Sequence, residues 1–221
     1  MRVLVFDTET TGLPPSRYPP SESTISKWPY VVQLSFVIYD TSNKKTLCEH
    51  DYIISLPKGV EIPEKAKEIH GISSSISKNR GYSMASILEI FTLCVNQCQC
   101  VVAHNIDFDL NMIDVECKRH NQANPFSSEK IYYCTMNKTT KLCNILREYR
   151  NPGPNGDVRL ETFVKKPTLT ELHYHLFQSR PTGVHNSMID VRVCLRCFLK
   201  VVFDYTLHFT QKELSLSLIH I

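Results

Sequence analysis

Two acidic residues, Asp7 and Glu9, directly follow an apolar stretch near the beginning of the chain. Residues 3–6 are three β-prone aliphatic residues and a phenylalanine, a composition typical of a buried strand. Successive side chains of a strand point to opposite faces, so residues two apart share a face and both carboxylates should project to one side. Two such charges repel each other unless a cation lies between them, and carboxylate oxygens are ligands for hard divalent metals. The pair therefore indicates a metal site, although a strand that simply leaves the core at a turn would look the same.

Further acidic residues lie at the start of a predicted helix. Residues 100–103 are apolar and too few for a helix, which predicts a short strand. Asn105 can cap the helix that begins at Ile106. Asp107 and Asp109 then lie in its first turn, where a negative charge also suits the helix dipole. Either residue can supply a third carboxylate to the site.

The last group is His185, followed five residues later by Asp190. Five residues of a regular helix rotate a side chain by about 500°, which is about 140° away from the starting face. The two side chains can converge only if His185 precedes the helix. Pro181 and Gly183 predict a loop there, and Ser187 is a suitable N-cap that would put Asp190 in the first turn. Alternatively, Ser187 and Asp190 form a capping box, which would make Asp190 structural.

In this order, the three groups resemble the motifs of the DEDDh (DnaQ-like) 3′–5′ exonucleases, which include polymerase proofreading subunits, RNase T and oligoribonuclease. In the second motif the acidic position falls on Asp109 rather than Asp107. Ser187 departs from the pattern, because many members have alanine there. The resemblance covers residues 1 to about 203. The matching segments are 6–12 (Phe-Asp-Thr-Glu-Thr-Thr-Gly), 69–72 (Ile-His-Gly-Ile), 104–109 (His-Asn-x-x-Phe-Asp) and 185–190 (His-x-x-x-x-Asp).

The resemblance implies an α/β, RNase H-like fold: a mixed five-stranded sheet with its first three strands antiparallel and with helices on both faces. It also implies hydrolysis of phosphodiester bonds of DNA (or RNA) from the 3′ end, with release of nucleoside 5′-monophosphates. Two Mg²⁺ ions would serve as cofactors, and Mn²⁺ could replace them. Hard divalent ions held on carboxylates suit this chemistry, because they generate a nucleophile near neutral pH and stabilise the charge of the phosphate.

The same resemblance implies a role for each residue. Asp7 would bridge both metals, and Asp109 would bind the metal nearer the leaving group. Glu9 and Asp190 would lie beside the metal that activates water, and His185 would be the general base. The motifs imply that the substrate is bound by Thr10, Thr11, Gly12, His70, Ile72, Asn105 and Phe108.

Other functions remain compatible with these residues. One is a catalytically silent nucleic-acid-binding module, against which the intact set of four carboxylates and a histidine argues. Another is a different two-metal hydrolase of the same fold, such as a ribonuclease H or a resolvase. Those enzymes lack the His-x4-Asp element, so its presence here discriminates against them. An RNA-specific exoribonuclease of the RNase T or oligoribonuclease type also stays open, because no residue can be assigned to reading a 2′-hydroxyl.

The hydrophobic periodicity predicts the elements that position these residues. An irregular Pro/Gly segment is expected at 147–166, and it holds the best basic surface of the sequence (Arg147, Arg150, Arg159, Lys165 and Lys166). Beyond the first strand, strands are expected at 31–39, 47–54, 100–103 and 131–135, and helices at 63–70, 84–95, 106–120, 168–177 and from Ser187 to 203.

Composition predicts a single domain, since 221 residues at 42% hydrophobic content suffice for one core, and the resemblance places that domain at 1–203. A formal net charge of +3 permits a polyanionic partner. The resemblance implies that this partner is nucleic acid with a free, single-stranded or frayed 3′ end, and no protein partner can be read from the residues. Nine scattered cysteines and no apolar leader predict an intracellular protein, cytoplasmic or nuclear/nucleoid-associated. No apolar run approaches the roughly 20 residues of a membrane span, so none is expected. We expect Cys194 and Cys197 to pack in the core.

Two segments outside the motifs also give expectations. In the proline-rich loop, Tyr18, Trp28 and Tyr30 are candidates for stacking on unpaired bases, with a lid over the core as the alternative for Trp28. Residues 204–221 are expected to be a tail outside the domain. Its last eight residues, 214–221, resemble translated sequencing-adapter read-through rather than evolved protein.

Overall fold

The computed structural model describes residues 1–15, 19–152 and 158–209. The strands are β1 (Arg2–Thr10), β2 (Val31–Asp40), β3 (Lys45–Ile53), β4 (Cys100–Ala103), β5 (Ile131–Cys134), β6 (Ile145–Pro152) and β7 (Val158–Lys165). The helices are α1 (Glu64–His70), α2 (Ser74–Arg80), α3 (Met84–Asn96), α4 (Ile106–Arg119), α5 (Thr135–Cys143), α6 (Leu169–Phe177) and α7 (Ser187–Phe203). A short 3-10 turn lies at Ile25–Lys27.

Five strands form the main sheet in the order β3-β2-β1-β4-β5. The pairs β1/β2 and β2/β3 are antiparallel, whereas β1/β4 and β4/β5 are parallel. β1 is therefore the central strand, with β2 on one side and β4 on the other. The predicted mixed five-stranded sheet, antiparallel over its first three strands, is confirmed.

Helices cover both faces of this sheet, as expected. Leu4 and Phe6 of β1 lie in a buried cluster with residues of α3 and α4. Val3 and Val5 point to the opposite face and pack in a second cluster with α7. Because successive side chains of a strand point to opposite faces, the apolar residues of β1 contribute to both helical layers. Polar side chains follow at the C-terminal end of β1.

Most predicted elements are present within a few residues of their expected bounds, but α2 and α5 were not predicted. The sequence of α2 has a single large apolar residue, Ile76, and its start is fixed by the Ser73 hydroxyl, which accepts a hydrogen bond from the Ile76 N–H. In α5, Thr139 and Thr140 bond back to carbonyls one turn earlier. Short polar helices of this kind lack the apolar period on which a prediction rests.

The segment 147–166, predicted to be irregular, is a β-hairpin instead. β6 and β7 pair in antiparallel register, with Tyr149 opposite Glu161. The Tyr149 and Phe163 rings meet edge to face at 5.7 Å. The prediction was wrong because glycine and proline were taken to interrupt the whole segment, whereas they fall at the junction of the two strands. Residues 153–157 of that junction lie outside the described ranges.

Residues after α7 are described as far as Phe209. Tyr205, Leu207 and Phe209 pack against the cluster that α7 shares with β1. The expected boundary at 203 stays a prediction, and residues 214–221 lie outside the described part. Among the described residues, no helix is both long and apolar enough to cross a membrane.

Candidate active site

The end of β1 brings two of the predicted ligands together. Asp7 and Glu9 lie on the same side of the strand, opposite Ser35 and Gln33 of β2. The pairing register shifts between Glu9 and Thr10, so the strand departs from regular geometry directly after the second carboxylate. The two carboxylates are therefore fixed by the central strand of the sheet rather than by a loop.

Asp190 reaches the same place from the first turn of α7. Ligand oxygens of Asp7, Glu9 and Asp190 all lie within 4.8 Å of one another. The Ser187 hydroxyl donates to the Asp7 carbonyl at 2.7 Å and so holds the start of α7 on β1. The backbone N–H of Ser187 is directed at Gln33 Oε1, 3.4 Å away. The start of the helix is thus fixed on two neighbouring strands.

The expected cap of this helix was misplaced by one residue. Asn186, not Ser187, is the N-cap, and its side chain accepts from the Ile189 N–H. Ser187 is the first helical residue, and its hydroxyl is used to contact β1. The capping box proposed for Ser187 and Asp190 is absent, because the Asp190 carboxylate accepts the backbone N–H of His185 at 3.0 Å.

Asp109 is held against β1 by a residue that the sequence analysis did not single out. Its Oδ1 accepts two hydrogen bonds from Thr8, one from the backbone N–H at 3.0 Å and one from the hydroxyl at 2.8 Å. Asp109 is 2% exposed, whereas Asp107 lies on the exposed face of α4. Only Asp109 therefore joins β1, although both residues lie in the first turn of α4. Its position between Asp7 and Glu9 was the feature of the sequence that could have indicated a role for Thr8 in the site.

Burial and mutual repulsion oppose ionisation of these groups. Burial raises the pKa of Asp7 to about 7. Burial and, to a smaller extent, the charges of Asp7, Asp190 and Asp109 together raise the pKa of Glu9 to about 10. The pKa values of Asp109 and Asp190 lie well above their ordinary range, first from burial and then from the charge of Asp7. A cluster that resists its own ionisation and offers only oxygen ligands suits a hard divalent cation.

These shifts predict how pH changes the metal-free protein. Each folded-state pKa exceeds its unfolded value, so stability is greatest below the unfolded carboxyl pKa and is lost as pH rises through the folded one. For Asp7 that window runs from 3.8 to about 7. Added Mg²⁺ should therefore raise the melting temperature more at pH 8 than at pH 5, relative to EDTA, in thermal unfolding. An equal rise at both pH values would contradict this account of the cluster.

His185 lies in the loop before α7, as predicted. Its backbone has φ of 69°, its side chain is exposed, and its N–H donates to Asp190. It lines a cleft of about 330 Å³ together with His70, Ile72 and Arg80. His185 is thus tied to the carboxylate cluster through the backbone, and its side chain is open to a bound molecule.

Six of the seven residues predicted to bind substrate line two neighbouring clefts. A cleft of about 480 Å³ beside Glu9 is lined by five of them, namely Thr10, Thr11, Gly12, His70 and Phe108. Ile72 is 1% exposed and lines the neighbouring cleft that contains His185. Asn105 lines neither cleft. It is the N-cap residue of α4, as predicted, but it has φ of 69° and its side chain makes no capping hydrogen bond.

Two of the three predicted stacking aromatics, Trp28 and Tyr30, are not available in the expected way. Trp28 is 3% exposed and belongs to the core, which agrees with the alternative of a lid. Tyr30 carries the Arg119 guanidinium over its ring at 3.8 Å. Tyr18 lies outside the described residues. The cleft beside Glu9 instead offers Leu13, which is 85% exposed, and Lys65. Neither was singled out by the sequence analysis.

Comparisons with known proteins agree with this geometry. A family model described as "Exonuclease", of the RNase T type, matches residues 4–198. No curated protein matches the chain significantly.

Solved structures show a similar fold. Exonuclease I of E. coli in complex with a dT13 oligonucleotide matches with a TM-score of 0.63 and 14% identity, over 92% of this chain and 43% of that one. Exonuclease I from Methylocaldum szegediense gives a TM-score of 0.64 at 14% identity, over 91% and 40%. The zinc-bound E. coli enzyme with single-stranded DNA gives 0.62 at 14%, over 91% and 41%. This chain therefore spans less than half the length of those proteins, and at such identity the likeness concerns the fold.

Proposed function

The chain belongs to the exonuclease family whose model it matches over residues 4–198, and from that membership we propose that it removes nucleotides successively from the 3′ end of single-stranded nucleic acid. The products would be nucleoside 5′-monophosphates. The observation that supports this proposal most directly is the convergence of Asp7, Glu9 and Asp190, from β1 and α7, within 4.8 Å. Such convergence of three repelling groups is costly unless cations use it.

Asp7, Glu9, Asp190 and Asp109 would hold two Mg²⁺ ions, which Mn²⁺ can replace. When bound, these cations lower the pKa of a water molecule and stabilise the charge that develops on the attacked phosphate. The donor set fits, because it consists only of carboxylate oxygens. Asp7 is the central member, since its charge acts on each of the other three groups.

His185 would act as the general base that takes the proton from the attacking water. The His185 side chain is exposed, and the backbone N–H of the same residue donates to the Asp190 carboxylate. A base placed beside the carboxylate cluster, but not within it, can exchange its proton with solvent after each cycle. No side chain of the cluster itself can play this part while it holds a cation.

The terminal nucleotide would enter the cleft beside Glu9. Thr10, Thr11 and Gly12 form one side of this cleft, and Phe108 can meet a base or sugar. Lys65 adds a positive charge that suits a phosphate. The exposed side chain of Leu13 can pack between the last bases of an unpaired strand.

DNA is the substrate that we propose first, because the similar E. coli structures were solved with DNA oligonucleotides. The test is digestion of 5′-labelled single-stranded DNA and RNA of the same sequence, with Mg²⁺, Mn²⁺ or EDTA. We expect products that shorten stepwise from the 3′ end, release of 5′-monophosphates, and no cleavage in EDTA. Faster digestion of the RNA strand would assign the chain to the exoribonuclease type.

Two outcomes would overturn the proposal. Covalently closed circles cut as fast as linear strands would show an endonuclease. Binding of the labelled strand without cleavage under either metal would favour the silent binding module.

A further inference from the structure

A second group of metal-ligating side chains lies apart from the carboxylates, at the edge of the sheet. Cys48 and His50 are two residues apart on β3, an edge strand, and therefore share a face. Cys94 lies near the end of α3, which packs on the same face. The two sulfur atoms and one imidazole nitrogen all lie within 4.8 Å of one another. None of these residues belongs to the exonuclease motifs.

The histidine of this cluster is held in a defined orientation. Its ring stacks on Phe36 with centroids 4.8 Å apart, and Nδ1 lies 2.9 Å from the Tyr52 hydroxyl. A histidine that ligates a metal typically donates its other ring N–H to such a partner, which fixes the tautomer. Burial lowers the pKa of His50, so the imidazole is neutral and able to ligate. The contact with Tyr52 leaves Nε2 as the ligand atom.

The cysteines of the cluster lie close together, and Cys94 keeps its proton in the absence of a cation. Its pKa is raised to about 11, mainly by burial and in smaller part by its neighbour Cys48. Cys98 follows one turn later, and its thiol is influenced by both Cys94 and Cys48. Lys130 donates to the Cys98 carbonyl at 2.9 Å and brings a positive charge to this side of the cluster. Two thiols and an imidazole thus lie together in one small region.

We infer that Cys48, His50 and Cys94 form a binding site for a thiophilic divalent cation of the Zn²⁺ class. Typical Zn–S and Zn–N bonds of about 2.3 and 2.0 Å in a tetrahedron hold ligand atoms roughly 3.5–3.8 Å apart. The three clustered atoms therefore need to close by about 1.3 Å at most. The cation replaces the two thiol protons, which are released to solvent.

This arrangement would join β3 to α3, because two of the ligands lie on the strand and one lies on the helix that packs against it. Its consequence is stability, because a cation that binds only the folded chain stabilises it.

The test is a titration of the reduced, metal-stripped full chain with Co²⁺, which reports its ligands by absorption. We expect a sulfur-to-cobalt charge-transfer band in the near ultraviolet and the visible bands of tetrahedral Co²⁺, both displaced by Zn²⁺. Carboxylate ligands such as those at Asp7 give no sulfur band, so a cation in the proposed active site cannot imitate this result. Exonuclease activity is not needed for the measurement, so the two proposals succeed or fail separately.

Variants locate the site. Cys48→Ser should lose most of the charge-transfer band, and His50→Gln should weaken Co²⁺ binding by roughly tenfold or more while keeping the sulfur band. Cys143→Ser changes another half-buried cysteine, at the end of α5, and should behave as the parent. A parent protein without any sulfur band, or a parent in which peptide mapping finds Cys48 disulfide-bonded to Cys94 after purification under reducing conditions, would overturn the inference.

Discussion

Asp7→Asn is expected to reduce the cleavage rate by roughly 10³-fold or more, since the cations it helps to hold contribute several kcal/mol of charge stabilisation. Asp7 is the residue whose charge acts on Glu9, Asp109 and Asp190. Asparagine has nearly the same shape and retains the backbone carbonyl that accepts from the Ser187 hydroxyl, so the fold should persist. The measurement is single-turnover cleavage of a labelled strand at saturating enzyme.

A matched control and a stability measurement exclude simple misfolding. Asp107→Asn makes the same change on the exposed face of α4 and should cleave as fast as the parent. In EDTA at pH 8, Asp7→Asn should melt at a higher temperature than the parent, because one member of a repelling buried cluster has lost its charge. If Asp7→Asn kept a tenth or more of the parent rate, Asp7 would not be the central metal ligand.

His185→Ala is expected to lower the single-turnover rate by roughly 10² to 10⁴, the usual contribution of general acid–base catalysis. Substrate and metal binding should be unchanged, because His185 contacts Asp190 through its backbone N–H, which alanine retains. Binding is measured with Ca²⁺ in place of Mg²⁺, by fluorescence anisotropy of a labelled strand. The expected signature is a loss of rate without a loss of affinity.

The backbone at this position calls for a second variant. His185 has φ of 69°, a region that asparagine tolerates better than most residues. His185→Asn should therefore fold at least as well as His185→Ala and be equally slow. His175→Ala removes an exposed histidine of α6 and should leave the rate unchanged. A parent-like rate in both His185 variants would show that another group takes the proton.

The parts of the fold that follow from strong apolar periodicity could be predicted from the sequence. The run 3–6 and the alternation along it specify a strand buried on both faces, and with it the common side of Asp7 and Glu9. The assembly of the five strands came from the family resemblance. Periodicity alone does not say which strands are neighbours.

The contacts that complete the site could not be predicted, since they join distant segments. Thr8 binds Asp109 across 101 positions, and either Asp107 or Asp109 satisfies the local signal of a helix start. Asn186 and Ser187 are both good caps, and only the contact of Ser187 with β1 decides between them. The cluster of Cys48 and Cys94 was missed for the same reason, because no short spacing marks it.

The hydrogen bond from Ser187 to Asp7 joins residues 180 positions apart. Closing a loop of that length has an entropic cost that must be met before α7 can contribute Asp190, so we expect this contact to form late in folding. During synthesis, a chain released before residue 190 contains Asp7, Glu9 and Asp109 but cannot complete the constellation. Under the proposed function, a partly made polypeptide is therefore harmless to the nucleic acids around it, and hydrolytic capacity arises only when nearly the whole family domain has been translated and folded.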